Sequence, residues 1–189
     1  MDTGAAHERH SARPTQVLLA RHGESTWNVE RRWQGHGDPP LTRRGRAQAA
    51  ALAAAAAGAC IEVIIASDLQ RAAETARCVA DALRLPLHLW RDWRELDVGE
   101  WTGLCRNAVQ ERWPEAYHRF RTGDPDLQAG GAERLAEFRD RVQRARQRIE
   151  DEYAGRRVLV VTHRGVLRLL VPDVPPDHAV LITLPLGAT

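Results

Sequence analysis

The 189-residue chain contains no lysine, so all 27 of its basic residues are arginine. Aromatic residues make up only 5% of it, and cysteines number three. No apolar run approaches the roughly 18–20 residues that cross a bilayer, which excludes a membrane-spanning helix and predicts no membrane partner. Residues 1–14 carry charges, His7, His10 and Pro14 but no apolar stretch, unlike a secretory signal. They read as a flexible tail ahead of one domain over residues 15–189. Cys60, Cys78 and Cys105 are odd in number, scattered and without metal-ligand spacing. They exclude a disulfide framework and point to buried or reduced thiols in a cytoplasmic protein. An excess of one charge is missing too, since 27 basic groups face 25 acidic ones for a net +2. That balance argues against a nucleic-acid partner. The lysine-free composition and alanine runs such as Ala53 to Ala57 read as codon bias, so most of the arginines need no chemical account.

What is present alternates between two patterns. Gln16 to Ala20 (QVLLA), Ile61 to Ala66 (IEVIIA) and Arg157 to Thr162 (RVLVVT) are apolar, branched runs that predict buried strands. Leu87 to Trp90 predicts a third strand in chain order, nearer an edge, and Val180 to Thr183 a last one. Between them, residues 42–57 predict a helix capped by Thr42 and closed by Gly58. Ser67-Asp68 starts a second, which runs to about Arg84 and is broken by Leu85-Pro86. A helix is expected near 106–120. Ala132 to Tyr153 is the longest helical pattern, with Leu135, Phe138, Val142, Ala145 and Ile149 at three- and four-residue steps. Its arginines face glutamates and aspartates, which reads as a solvated, charge-paired face. Val166 to Val171 predicts a short helix. Strands alternating with helices, with little polar alternation inside the strands, indicate an α/β domain around a mostly parallel sheet.

Ligands of open parallel sheets sit at the carboxyl ends of the strands. There the sequence places Arg21-His22, Ser67 to Arg71, Trp93-Arg94-Glu95 and His163-Arg164-Gly165. Two histidines, two arginines and a carboxylate at one edge suit a phosphate ester: cations for its oxygens, an imidazole nucleophile, and an acid for the leaving group. Taken singly these residues are ordinary, because a histidine after a strand is commonly a turn residue and a lone glutamate a surface one. Arg71, early in a helix, is disfavoured by the macrodipole unless an anion sits nearby.

Four ordered motifs then carry a resemblance. Leu19 to Asn28 (LARHGESTWN), Gln34-Gly35 with Asp38 to Thr42, Gly45 and Gln48 come first. Ser67 to Ala76 (SDLQRAAETA), Glu95 to Gly103 (ELDVGEWTG) and Val160 to His163 (VVTH) follow. Together they resemble the histidine phosphatase superfamily, in its phosphoglycerate mutase-like branch and compact phosphatase form. The resemblance implies a three-layer α/β/α sandwich. It implies His22 as the nucleophile that takes the phosphoryl group, with Arg21, Arg71 and His163 holding its oxygens. Glu95 would be the acid that protonates the leaving alkoxide and then helps water attack the phosphohistidine. Asn28 and Gln34-Gly35 match phosphate- or substrate-contacting positions. Metal and cofactor are not required, and the partner is a small-molecule phosphate ester.

Where the family often has a small residue after the second histidine, this chain has Arg164, which either points outward or adds a cation at the rim of the phosphate site. The family's Gly-Glu-Ser before the long helix is Ala132-Glu133-Arg134 here, which removes a cap. Trp27, Trp33, Trp93 and Trp101 either line the mouth or pack nearby, and packing is the simpler account. Two other functions compete with a phosphomonoester hydrolase. A mutase would carry a basic, aromatic insertion after the acid, but Glu95 runs directly into Leu96 to Trp101. A silent phosphate-binding module would not need all five catalytic side chains. The substrate, and whether a homodimer forms, are not written in the pattern.

Overall fold

Four parallel strands and one short antiparallel strand make the sheet of the computed structural model, which describes residues 13–184. The expected tail at 1–14 lies almost wholly outside those residues. In chain order the strands are β1 (Gln16–Arg21), β2 (Val63–Ala66), β3 (Leu87–Leu89), β4 (Arg157–Thr162) and β5 (Ile182–Thr183), arranged β3-β2-β4-β1-β5. The central strand β4 pairs in parallel with both β1 and β2, and β5 closes the β1 edge in the antiparallel sense.

Burial explains why these runs show no polar alternation. Val17, Leu19, Val63, Ile65, Val158 and Val160 point into one core, while Ala20, Ile64, Ala66, Leu159 and Val161 point into another. Successive side chains of a strand alternate faces, so a strand covered on both sides must be apolar throughout. The second core is closed by α2 (Arg43–Ala57) and α3 (Gln70–Leu83) through Leu52, Ala53, Ala56, Ala72, Ala76 and Val79. The alanine richness has a structural use here: small side chains let two helices lie close on each other and on the sheet. The first core is closed by α6 (Leu135–Glu152) and α7 (Arg164–Leu170), which bury Phe138, Val142, Ile149, Val166 and Leu167. Helices therefore cover both faces of the sheet, and the three-layer sandwich stands.

Thr42 caps α2 by accepting the Gly45 amide at 2.9 Å, and Arg84 ends α3 in the left-handed region before Pro86. Elsewhere the structure departs from expectation. The helix expected near 106–120 is two, α4 (Arg106–Arg112) and α5 (Pro114–Thr122), because Trp113 adopts φ −135°, ψ 60°. The residue before a proline is pushed out of helical conformation, and Pro114 then starts the next helix where its missing N–H costs nothing. The long helix begins at Leu135 rather than 132. Arg134 offers no side-chain cap, and instead Glu137 accepts the Arg134 amide at 3.0 Å. All three cysteines are free thiols, but Cys60 and Cys105 lie exposed at helix ends rather than buried. None of the described helices is long and apolar enough to cross a membrane.

One contact positions the site. The turn after β1 leads into α1 (Thr26–Val29) and lies backbone to backbone against the first turn of α2. A Cβ at Gly45 would meet the Glu24 carbonyl, and one at Gly23 would meet the Gly45 carbonyl. Gly45→Ala is expected to cost about 1–3 kcal/mol by overpacking, a fall of several degrees in Tm for a domain of this size. Gly58→Ala is the control, since its Cβ finds only an ordinary contact at 3.8 Å and its φ is −82°. Thermal denaturation of both variants checks the contrast.

Candidate active site

All four parallel strands end at one edge of the sheet, and the chain segments leaving them converge there. The His22 amide donates to the Thr162 carbonyl at 2.9 Å, which prolongs the β1–β4 ladder past the strand ends. That register brings the rings of His22 and His163 to 5.2 Å between centroids. Arg71 enters from the first turn of α3, and Glu95 from the segment after β3. His22 and Arg71 are 2% and 1% exposed, and His163 is fully buried.

The hydrogen bonds define the tautomer of His22. Nδ1 of His22 lies 2.7 Å from the Gly23 carbonyl oxygen, an atom that only accepts. Nδ1 therefore carries the hydrogen and Nε2 the lone pair. Burial, then the charges of Arg71 and Arg21, hold the His22 pKa well below the ordinary imidazole range. His163 is lowered for the same reasons, and neither of its ring nitrogens has a protein partner. Both rings are neutral at physiological pH.

The two guanidinium groups are held by carbonyls rather than carboxylates. Arg71 donates to the carbonyl oxygens of Gly37 at 2.7 Å and Gly35 at 2.9 Å, with Asp38 no nearer than 3.7 Å. Arg21 donates to the Pro176 carbonyl at 3.1 Å. Nε of each arginine is buried without a protein partner. Burial lowers both to about 10, so both remain charged in any working range. Cationic donors and a neutral nucleophile at one point can receive a phosphoryl dianion.

Glu95 is half-buried, and its two oxygens accept the amides of Leu96 at 2.9 Å and Gly165 at 3.0 Å. A Cβ at Gly165 would meet the Glu95 carboxylate, so a side chain there would displace Glu95. A second support comes from α6. Arg141 forms a paired contact with Glu133, both bonds at 2.8 Å, and donates to the carbonyls of Asp92, Arg94 and Glu95 at 2.8, 3.0 and 3.3 Å. Glu133 in turn accepts the Asp97 amide at 3.1 Å. This bracket fixes the backbone on both sides of the acid. From sequence, Arg141 looked like one more arginine on a solvated helix face, and its carbonyl partners lie 46–49 residues away.

The remaining expected residues gather around the same point. Asn28 uses Oδ1 to accept the Ser25 amide at 2.9 Å, and both Asn28 and Gln34 line the cavity. Gly35 serves through its carbonyl on Arg71, with φ +47°. Trp27 and Trp33 line the cavity, whereas Trp93 and Trp101 are fully buried core. Arg164 is exposed and also lines the cavity. Two further residues were invisible in sequence. Thr75 accepts the Gly23 amide at 3.0 Å and donates to the Arg71 carbonyl at 2.7 Å, tying the nucleophile turn to the clamp. His178 lies 2.8 Å through Nδ1 from the His22 carbonyl and packs edge-on against the His22 ring at 5.6 Å. Among the described residues no cluster of histidine, cysteine or acidic side chains is arranged to hold a metal ion.

Comparison with known proteins places this geometry. The chain is 39% identical to phosphoglycerate mutase-like protein 4 of Arabidopsis thaliana over 165 residues, 86% of this chain and 72% of that one. It is 38% identical to the metal-independent phosphoserine phosphatase of the same plant over 159 residues, 82% of this chain and 67% of that one. Among solved structures, the alpha-ribazole phosphatase from Shigella flexneri superposes with a TM-score of 0.78 at 28% identity, covering 89% of each chain. The family model for branch 1 of the histidine phosphatase superfamily matches residues 17–179, so the chain belongs to that superfamily.

Proposed function

We propose that the protein hydrolyses small phosphorylated metabolites through a phosphohistidine on His22. The observation that carries the reading is the Nδ1–H to Gly23 bond, which turns a neutral Nε2 lone pair toward a pocket with two carbonyl-held guanidinium groups. In the first step Nε2 attacks phosphorus, the bond from phosphorus to the ester oxygen breaks, and the Glu95 carboxyl gives that oxygen its proton. Arg21, Arg71 and His163 stabilise the charge spread over the transferring oxygens. In the second step the Glu95 carboxylate takes a proton from water, whose oxygen displaces Nε2 and releases inorganic phosphate. Three free thiols suit a reducing compartment, and the reading includes a cytoplasmic location without a nucleic-acid or membrane partner.

Phosphate release from an aryl phosphate should proceed without added metal and persist in EDTA. His22→Ala should lower turnover by roughly a thousandfold or more with its circular dichroism spectrum unchanged. Near-normal activity in that variant rules the mechanism out. Turnover only when a bisphosphoglycerate is supplied identifies a mutase instead.

The Arg141 bracket predicts a leaving-group effect. Arg141→Ala should lower kcat for an alkyl phosphate by about 10²-fold through a misplaced acid. An aryl phosphate, whose leaving group needs little protonation, should be affected much less. Arg141→Lys should recover part of the loss. An equal loss on both esters marks a general structural defect.

His22 and His163 should stay neutral well below pH 6.5 in ring-proton NMR titrations of the free protein. In the unfolded chain both take up protons near pH 6.5, so the unfolded state binds more protons below that point. Stability therefore falls as pH drops from about 6.5 toward the folded values, by up to about 1.4 kcal/mol per pH step for each histidine. Urea titrations at pH 7 and pH 5.5 read this out, and a stability that rises on acidification contradicts it.

A further inference from the structure

The cavity in front of His22 encloses about 1030 Å³, far more than a phosphoryl group fills. Nine arginines line it against two carboxylates, Glu30 and Glu95. Arg21 and Arg71 belong to the phosphoryl clamp, and Arg32 is paired with Glu30 at 2.6 Å. Three others share one wall. Arg164 and Arg168 stand one helical turn apart on α7, and Arg106 opens α4.

None of these three makes an ion pair or a side-chain hydrogen bond among the described residues. Their placement is costly, because like charges four residues apart on a helix repel. On α6, by contrast, Arg146 and Arg148 each have a glutamate partner at that spacing, Glu150 and Glu152. The mutual repulsion is strong enough that Arg168 and Arg106 both act to lower Arg164, after burial. Arg164 in turn acts on Arg21, which places this wall beside the phosphoryl clamp.

Resting on the phosphatase reading above, we propose that Arg106, Arg164 and Arg168 form a subsite for a second anionic group of the substrate. The substrate class is then a small phosphomonoester bearing a carboxylate or a second phosphate a short distance from the scissile one. An oxyanion between the three guanidinium groups offsets the repulsion, and guanidinium forks suit either oxyanion.

Binding to His22→Ala protein, measured by calorimetry, tests the subsite without turnover. The probes are phenyl phosphate, 4-carboxyphenyl phosphate and 1,4-phenylene bisphosphate. At low salt one or both dianionic-plus probes should bind roughly tenfold tighter than phenyl phosphate, and the preference should shrink as salt rises. The tighter of the two identifies carboxylate or phosphate as the preferred group. Adding Arg106→Gln, Arg164→Gln and Arg168→Gln to the same protein should abolish the preference without lowering Tm, because repulsion is relieved. Absence of a preference, or a preference that survives the three substitutions, overturns the subsite. A wild-type protein that releases no phosphate from any ester overturns the phosphatase reading instead, and the binding ratio separates the two failures.

Discussion

Arg71 is buried with its direct hydrogen bonds on backbone carbonyls, while the carboxylates that favour its charge, Glu95 and Asp38, act from a distance. The oxygens of Gly35 and Gly37 fix the plane of its guanidinium group but cancel little of its charge, and the Pro176 carbonyl does the same for Arg21. A carboxylate in their place would neutralise the site and compete with a phosphoryl group for the same donors. The cost is desolvation, which lowers both arginines to about 10 yet leaves them charged. Burial and those same charges keep His22 neutral, so a single constraint yields both a cationic pocket and a neutral imidazole beside it. Much of the surrounding chain exists to hold it, from the Thr75 link between Gly23 and Arg71 to the glycine contact between the nucleophile turn and α2.

Glu95 is registered to His22 through the sheet. Thr162, whose carbonyl receives the His22 amide, donates its hydroxyl to the Trp93 carbonyl at 2.8 Å, two residues before Glu95. Gly165, two residues after His163, supplies an amide to the Glu95 carboxylate. Strand β4 and the turn after it thus touch His22 on one side and the Glu95 segment on the other. With Arg141 bracing the far side, Glu95 sits on a loop whose backbone is held at several points, the precondition for a loop carboxyl to act in a fixed geometry.

The parts of this design that show in sequence are those written in local chemistry. Apolar branched runs of four to six residues announce buried strands, and the residues just past their ends collect at one edge under any parallel topology. Arg21, His22, Arg71, Glu95 and His163 were all legible in that way. Arg141, Glu133, Thr75 and His178 were not, because each acts through a partner far along the chain. On a helix with many arginines, the one turned toward three carbonyls has no local signature. The split at Trp113 was readable from Pro114 and was overridden by an otherwise helical composition, whereas the exposure of Cys60 and Cys105 follows from turn positions that composition does not reveal.

The lysine-free composition sorts by partner rather than by position. Exposed arginines such as Arg46, which meets Glu74, contribute little individually. There, lysine would serve nearly as well, and compositional bias is a sufficient account. Arg71 and Arg141 each reach more than one carbonyl from a single planar group, a geometry an ammonium reproduces poorly. Burial adds a second reason at the clamp. Desolvation takes an arginine from 12.5 to about 10 at positions 21 and 71. A lysine starts from about 10.4, so the same surroundings would leave its charge a much smaller margin. At those two positions the planar fork and the charge that survives burial both favour arginine, whatever supplied it to the rest of the chain.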